Sequence, residues 1–181
     1  MNRAHALLIA VAAAIGLGGG IYLSLSSNPD AGKVGRPAID SLYETTFPDL
    51  SAQTQKISQW KSKTLVINFW ATWCPPCREE IPGLIRIQGR YSAKNVQIVG
   101  IALDSPEPVA GFAKLMGINY PVLLGGLDAI NLARLLGNAT GGLPFTIVLS
   151  PNGDTSLTHL GMLSESQLES VIAKVGPASH P

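Results

Sequence analysis

Thr64-Leu65-Val66-Ile67-Asn68-Phe69-Trp70-Ala71-Thr72-Trp73-Cys74-Pro75-Pro76-Cys77-Arg78 is the stretch from which the fold of this chain is read. Its first half is a compact β-branched and aromatic run, the composition of a buried strand. Two prolines follow almost at once, and proline suits the first turn of a helix, where a missing N–H leaves nothing unpaired. The stretch also holds the only 2 cysteines of the chain, Cys74 and Cys77. Two thiols separated by two residues on a first helical turn can close a small disulfide ring. The unpaired N–H groups and the macrodipole there favour thiolate over thiol at Cys74. A thiol of lowered pKa is both a nucleophile and a good leaving group in thiol–disulfide exchange, with Cys77, one turn further in, as the resolving thiol. Two cysteines are too few for a four-thiolate zinc or iron–sulfur site or for a disulfide-stapled mini-protein. A pair placed directly after a buried strand suits a redox site and not a zinc ribbon.

Outward from this stretch, the helix is expected to run through Arg78, Glu79, Glu80 and Ile81 to about Tyr91, kinked at Pro82. Downstream follow a strand over 96–103, a helix over 106–116, a strand over 120–124 and a helix over 129–136. Strands over 144–149 and 155–160 are joined by Pro151-Asn152-Gly153-Asp154, a strong hairpin turn. Ser164-Glu165-Ser166-Gln167 is a capping box that opens a last helix to about Val175. Upstream, the irregular pattern over 41–63 reads as a small β-hairpin carrying Phe47 and Leu50. Alternating helices and strands closed by a hairpin define an α/β class with a mixed central sheet flanked by helices.

The chain has 181 residues, 46% of them hydrophobic and 14% charged, with a formal net charge of +1. It is too apolar for a disordered tail and too nearly neutral for a nucleic-acid binder that works by neutralising phosphates. The apolar excess is concentrated in residues 6–25, which carry no charge. A helix of about 20 residues rises about 30 Å, enough to cross a bilayer. An uncleaved anchor is the primary expectation. A cleaved signal, with Ser24-Leu25-Ser26 as a weak cleavage site, and a buried core helix are the alternatives. Positive charges before the span (Arg3 and the terminal amine) and after it (Lys33, Arg36) nearly balance, so they do not set the orientation. A lone span at the extreme amino terminus ahead of a complete domain favours export. The expected organisation is therefore a signal anchor at 1–26, a polar linker at 27–37, a domain at 38–176 and a tail at 177–181.

These motifs resemble the thioredoxin superfamily, and more closely the membrane-anchored TlpA/ResA-like thiol–disulfide oxidoreductases, over about residues 47–175. The block 65–78 is the strongest part of the match. Pro82 matches the family's kink proline, and Phe47-Pro48-Asp49-Leu50 resembles its amino-terminal hairpin. Gly142-Leu143-Pro144-Phe145-Thr146 resembles the segment whose proline is cis and lies against the disulfide. The resemblance implies a thioredoxin-like fold with an amino-terminal hairpin extension and one amino-terminal transmembrane helix. Read without it, Pro144 is an ordinary strand-start proline. With a cis Leu143–Pro144 bond, the turned backbone offers donors and acceptors to a substrate segment beside Cys74. Trp70 is expected in the core and Trp73 on the apolar rim where substrate docks. The expected substrate-binding set is thus Trp73, Pro75, Pro76, Leu143 and Pro144, with no metal ligands and no cofactor beyond the dithiol.

Two departures from the superfamily carry chemistry. Thioredoxins have a buried aspartate where this chain has Asn68, and an amide cannot take a proton, so another base must deprotonate Cys77. ResA-like members implicate an acidic residue after the next strand, which places the role on Asp104, with Glu107 as the fallback; Asp104 reads equally as a helix cap before Ser105-Pro106. On the first reading, Asp104→Asn slows exchange and leaves the fold intact. In the second departure, Pro75 and Pro76 both lack an N–H, which leaves fewer donors for the Cys74 thiolate and points to a reductant. A disulfide oxidase is the main competitor. A Cu(I)-binding module is a weaker one, since Met1, Met116 and Met162 are all remote from the motif. An inert disulfide in an interaction domain is weaker still. The resemblance implies a monomer facing the periplasm or cell exterior on a bacterial inner membrane and acting on disulfides of exported proteins. It also implies a membrane electron donor of the DsbD or CcdA type, and cytochrome c maturation as the usual pathway, with apocytochrome Cys-x-x-Cys-His segments as substrates.

Overall fold

A computed structural model describes residues 34–175. The expected anchor at 1–26, all of the linker but its last residues, and the tail at 177–181 lie outside them. Among the described residues no helix is long and apolar enough to cross a membrane. In chain order the elements are α1 (Arg36–Glu44), β1 (Thr46–Pro48), β2 (Thr54–Lys56), β3 (Thr64–Trp70), α2 (Pro75–Tyr91), β4 (Val96–Ala102), α3 (Pro106–Met116), β5 (Val122–Leu124), α4 (Gly126–Leu135), β6 (Phe145–Leu149), β7 (Thr155–Leu160) and α5 (Glu165–Val175).

The five-stranded sheet has the order β5-β4-β3-β6-β7, so β3 is its central strand. β3 pairs parallel with β4 and antiparallel with β6, and every one of its residues is buried. A strand covered on both faces has no solvent face to mark with alternating polar residues, which is why its sequence is apolar apart from Thr64 at its start and Asn68. Alternate side chains divide between two cores. Leu65, Ile67 and Phe69 join Ile39 and Leu42 of α1 and Leu132 of α4. Val66 and Trp70 join Ile81, Leu84 and Ile87 of α2 and Leu168 and Ile172 of α5. Asn68 falls on the second face, beneath α2, and is fully buried.

Most boundaries agree with the pattern read from the sequence, and the differences have local causes. β5 starts at Val122 and not at 120, because Pro121 has no N–H to give the ladder, although its carbonyl accepts from Gly100 N at 2.9 Å. The region 41–63 does contain a hairpin, β1–β2, with Phe47 opposite Gln55. Asp49 shapes its loop by accepting from Ser51 N at 2.8 Å and Gln53 N at 3.0 Å. The hairpin bridges onto β5 at Asp49 and Leu123, covering that edge of the sheet. α1 has no counterpart in the sequence reading. Nine residues without a side-chain cap make a weak helix alone, and it forms here because Ala38, Ile39, Leu42 and Tyr43 bury one face in the core. Arg36 ties its start to the β6–β7 turn through Asp154 at 3.0 Å. The capping box of α5 is reciprocal: Gln167 N donates to Ser164 Oγ at 3.3 Å and Ser164 N to Gln167 Oε1 at 3.0 Å.

Two glycines give a paired test of packing. A Cβ at Gly125 would stand 2.4 Å from Ala129 Cβ and 2.7 Å from Ile101 Cγ2, whereas one at Gly111 in α3 would meet nothing within 4 Å. Gly125→Ala is expected to lower stability by about 1–3 kcal/mol through overpacking. Gly111→Ala is expected to raise it by about 0.4–1 kcal/mol by removing unfolded-state freedom. Urea unfolding of the two variants beside the parent reads both signs.

Candidate active site

The site is built where the central strand ends. After Trp70 the chain turns through Ala71, Thr72 and Trp73, with Cys74 N donating to Ala71 O at 3.2 Å. Cys74 is the amino-terminal cap of α2, and Pro75 and Pro76 fill the first helical positions. Its Sγ accepts the Cys77 N–H at 3.3 Å. Cys74 and Cys77 form a disulfide, with S–S 2.09 Å and Cα–Cα 5.3 Å. Cys77 is fully buried while Cys74 lies just under the surface. Beside them Trp73 is 66% exposed, and Trp70 is wholly buried.

Leu143–Pro144 is cis. Leu143 packs against the same core that contains Cys74 and Cys77. Its loop is pinned by Asn138 Nδ2, which donates to Gly142 O at 2.9 Å, and by Gly161 N, which donates to Pro144 O at 2.8 Å. Pro75 is exposed and Pro76 and Leu143 are half-buried, so with Trp73 they leave apolar surface next to the pair in the chain and at the cis-proline loop. An open groove of about 330 Å³ continues from Pro75 along Arg78, Glu79, Phe112, Leu115 and Met116. The Arg78 guanidinium lies over the Phe112 ring at 5.6 Å.

One turn of α2 beyond Cys77 lies a buried carboxyl group that the sequence reading passed over. It belongs to Glu80, on the same helix face as Cys77. Its Oε1 accepts from Asn68 Nδ2 at 2.5 Å and its Oε2 from Leu163 N at 3.0 Å. Asn68 Nδ2 also donates to Thr146 Oγ1 at 3.0 Å. Burial is the dominant influence and pushes the carboxyl from 4.5 up to about 7, against the two donors, which favour the charged form. A group poised there can accept a proton near neutral pH. The signal was present in the sequence, because Cys77, Glu80, Ile81 and Leu84 share the spacing of one helix face and Glu80 is the charged residue within it.

Asp104 sits just past β4 and is half-buried. It accepts from the Thr72 hydroxyl at Oδ2 and from Ser105 N at 2.8 Å at Oδ1. The Thr72 hydrogen bond is the largest cause holding this carboxyl below the usual aspartate range. Asp104 therefore stays ionised and pins the loop two residues ahead of Cys74. Ser105 caps α3 without a side-chain hydrogen bond, and Glu107 lies exposed in that helix's first turn.

A mixed sheet with a cysteine pair at the start of the helix after its central strand, and a cis-proline loop packed against the same core, defines the thioredoxin class of dithiol proteins. The chain belongs to the Redoxin family, whose profile matches residues 33–172. It is 25% identical over 173 residues to the thiol–disulfide oxidoreductase ResA of Halalkalibacterium halodurans, covering 94% of this chain and 93% of that one. To the ResA of Bacillus subtilis it is 27% identical over 180 residues, covering 97% and 92%. The crystal structure of a thioredoxin-family thiol:disulfide interchange protein from Chlorobium tepidum superposes with TM-score 0.65 at 28% identity, over 72% of this chain and 92% of that one. The chain is thus a TlpA/ResA-like member of the thioredoxin superfamily and a thiol–disulfide oxidoreductase.

The raised Glu80 pKa has a thermodynamic consequence of fixed sign. The native state holds the Glu80 proton more tightly than the unfolded chain does, so this contribution to stability is complete below about pH 4.5 and is lost as pH rises through about 7. Relative to Glu80→Gln, which carries no titratable group, the disulfide form of the chain is expected to lose thermal stability across that window. Thermal midpoints of the two proteins from pH 4 to 8 measure the difference.

Proposed function

We propose that the protein is a disulfide reductase for exported proteins, tethered by its amino-terminal span to the outer side of a bacterial inner membrane. The observation that carries the direction of exchange is the hydrogen bonding at Cys74. Pro76 occupies one of the two positions, N2 and N3, whose N–H groups reach a capping side chain, and the single N–H that reaches the sulfur comes from Cys77 at the other. A thiolate with few donors is poorly stabilised, which disfavours the reduced form and lowers the potential of the couple.

In this reading the Cys74 thiolate attacks one sulfur of a substrate disulfide and expels the other as thiolate, leaving a mixed disulfide. Cys77 then gives its proton to Glu80 and attacks Cys74 Sγ, so the second substrate sulfur leaves as thiolate and the Cys74–Cys77 bond forms. The substrate gains two electrons and the protein loses two. Trp73, Pro75, Pro76, Leu143 and Pro144 form the docking rim, the backbone around Pro144 pairing with an extended substrate segment. Asp104 holds the Thr72 turn that carries Cys74. The cycle closes when a membrane electron donor of the DsbD or CcdA type reduces the pair again. Apocytochrome Cys-x-x-Cys-His segments, in cytochrome c maturation, are the proposed substrates.

Two measurements on the full chain test this. Equilibration in dithiol buffers of graded potential, with free Cys74 and Cys77 counted by alkylation and mass spectrometry, is expected to give a midpoint below about −220 mV. A midpoint near about −120 mV would make the protein an oxidase and overturn the argument from the paired prolines. The release of thiol from a preformed Cys74 mixed disulfide is expected to rise through a transition near pH 7. Glu80→Gln should abolish that transition and Asp104→Asn should retain it; the reverse pattern would move the proton acceptor to Asp104.

A further inference from the structure

The chain's histidines are all distant in sequence from the cysteine pair, yet the fold brings one of them into hydrogen-bonded connection with Glu80. Sheet register aligns Gly100, Asn68, Thr146 and His159 in one row across four strands, from β4 through β3 and β6 to β7. Directly opposed residues point to one face of a sheet, so His159 is on the face that α2 covers, at its outer edge. His159 Nε2 lies 3.3 Å from the Met162 carbonyl oxygen. A carbonyl oxygen only accepts, so Nε2 carries the proton and donates.

The Met162 carbonyl belongs to the same planar peptide group as the Leu163 N–H, and that N–H is the one that donates to Glu80 Oε2 at 3.0 Å. The peptide stands at the boundary of the core: Met162 is 49% exposed and Leu163 only 5%. Its carbonyl meets His159 and its N–H points inward to the buried carboxyl. A donor drawing on the carbonyl polarises the amide and strengthens the N–H on the other side, as in any chain of hydrogen bonds. It also fixes the rotation of that peptide plane about the bonds to the Met162 and Leu163 Cα atoms.

We propose that His159 is a positioning residue for Glu80, acting through the Met162–Leu163 peptide group to set how readily that carboxyl takes up the proton of Cys77. Its effect on Cys77 rests on the proton-acceptor role proposed above; its effect on Glu80 does not. The other titratable groups around Glu80 are Cys77 on its own helix and Tyr120 ahead of β5, the latter raised by burial and then by the Glu80 charge. α5 packs on β7, and its Glu165 and Glu169 are engaged by Arg86 at 2.6 Å and Arg90 at 2.9 Å respectively. Among the described residues no ion pair involves Glu80 or His159.

The test is an infrared titration of the Glu80 carboxyl in the full chain with its disulfide closed, taken as the difference from Glu80→Gln. The parent midpoint is expected at about 7. His159→Val suits an edge strand and removes the donor, and is expected to raise the midpoint by about half a pH unit or more. His159→Asn, polar but too short to reach the carbonyl, should shift it likewise. His159→Gln, whose Nε2 reaches the same place, should restore the parent value. An unshifted midpoint in both His159→Val and His159→Asn, or a shift in His159→Gln as large as theirs, overturns the proposal. At pH 6, thiol release from the mixed disulfide should slow roughly threefold in His159→Val. A raised midpoint with unchanged thiol release upholds the coupling and removes Glu80 from the proton-acceptor role instead.

Discussion

A carboxyl group buried among apolar side chains is costly to ionise and costly to leave without partners, and the active face of this protein is organised around that constraint. Glu80 satisfies it with one donor from the central strand, Asn68, and one from the loop between β7 and α5, Leu163. Two consecutive elements, β3 and α2, and a loop 83 residues beyond Glu80 must therefore meet at one point before the group is housed. The two donors offset part of the burial penalty and leave the carboxyl near neutrality, in neither its ordinary ionised state nor a permanently protonated one. That balance suits exchange chemistry, in which a buried thiol must lose a proton without keeping a base charged at all times.

The second organising feature is the junction of β3 with α2. A strand buried on both faces delivers its carboxyl end to the sheet edge, where the next helix begins, and the cap position there falls on Cys74. The prolines that start the helix also withhold the N2 N–H from the sulfur they flank. One pair of residues thereby stabilises the helix start and limits the stabilisation of the thiolate, which ties the local geometry to the proposed direction of electron flow. Around this point Trp73 on the turn, Leu143 ahead of the cis proline and the groove toward Leu115 give an apolar approach to sulfurs that are themselves almost covered.

Hydrophobic periodicity and turn chemistry made much of the fold legible. The β-branched and aromatic run of β3, the capping box of α5, the Pro-Asn-Gly-Asp turn between β6 and β7 and the proline that opens α3 are local signals, and the elements stand within a few residues of where they point. α1 escaped notice because its apolar face is only four residues in a nine-residue helix, a pattern too short to separate from a loop without the core it packs on. At the site, the cysteine pair and the loss of a titratable group at Asn68 were legible. Asp104 was singled out by the resemblance to ResA-like members, with Glu107 as the fallback, while its partner Thr72, which holds it ionised, is 32 residues away in sequence.

The sequence by itself determined the dithiol, its place at a helix start after a buried strand, the mixed α/β class and the lack of a titratable side chain at Asn68. Each follows from residue type and short-range spacing, which fix capping, periodicity and acid–base capacity without reference to the rest of the chain. Only the tertiary structure decided that Glu80 is buried and poised near pH 7, that Asp104 is half-buried and engaged by Thr72, and that His159 joins Glu80 through one peptide group. A carboxyl's pKa depends on desolvation and on donors brought from other strands and loops, and sheet register and helix packing place those donors.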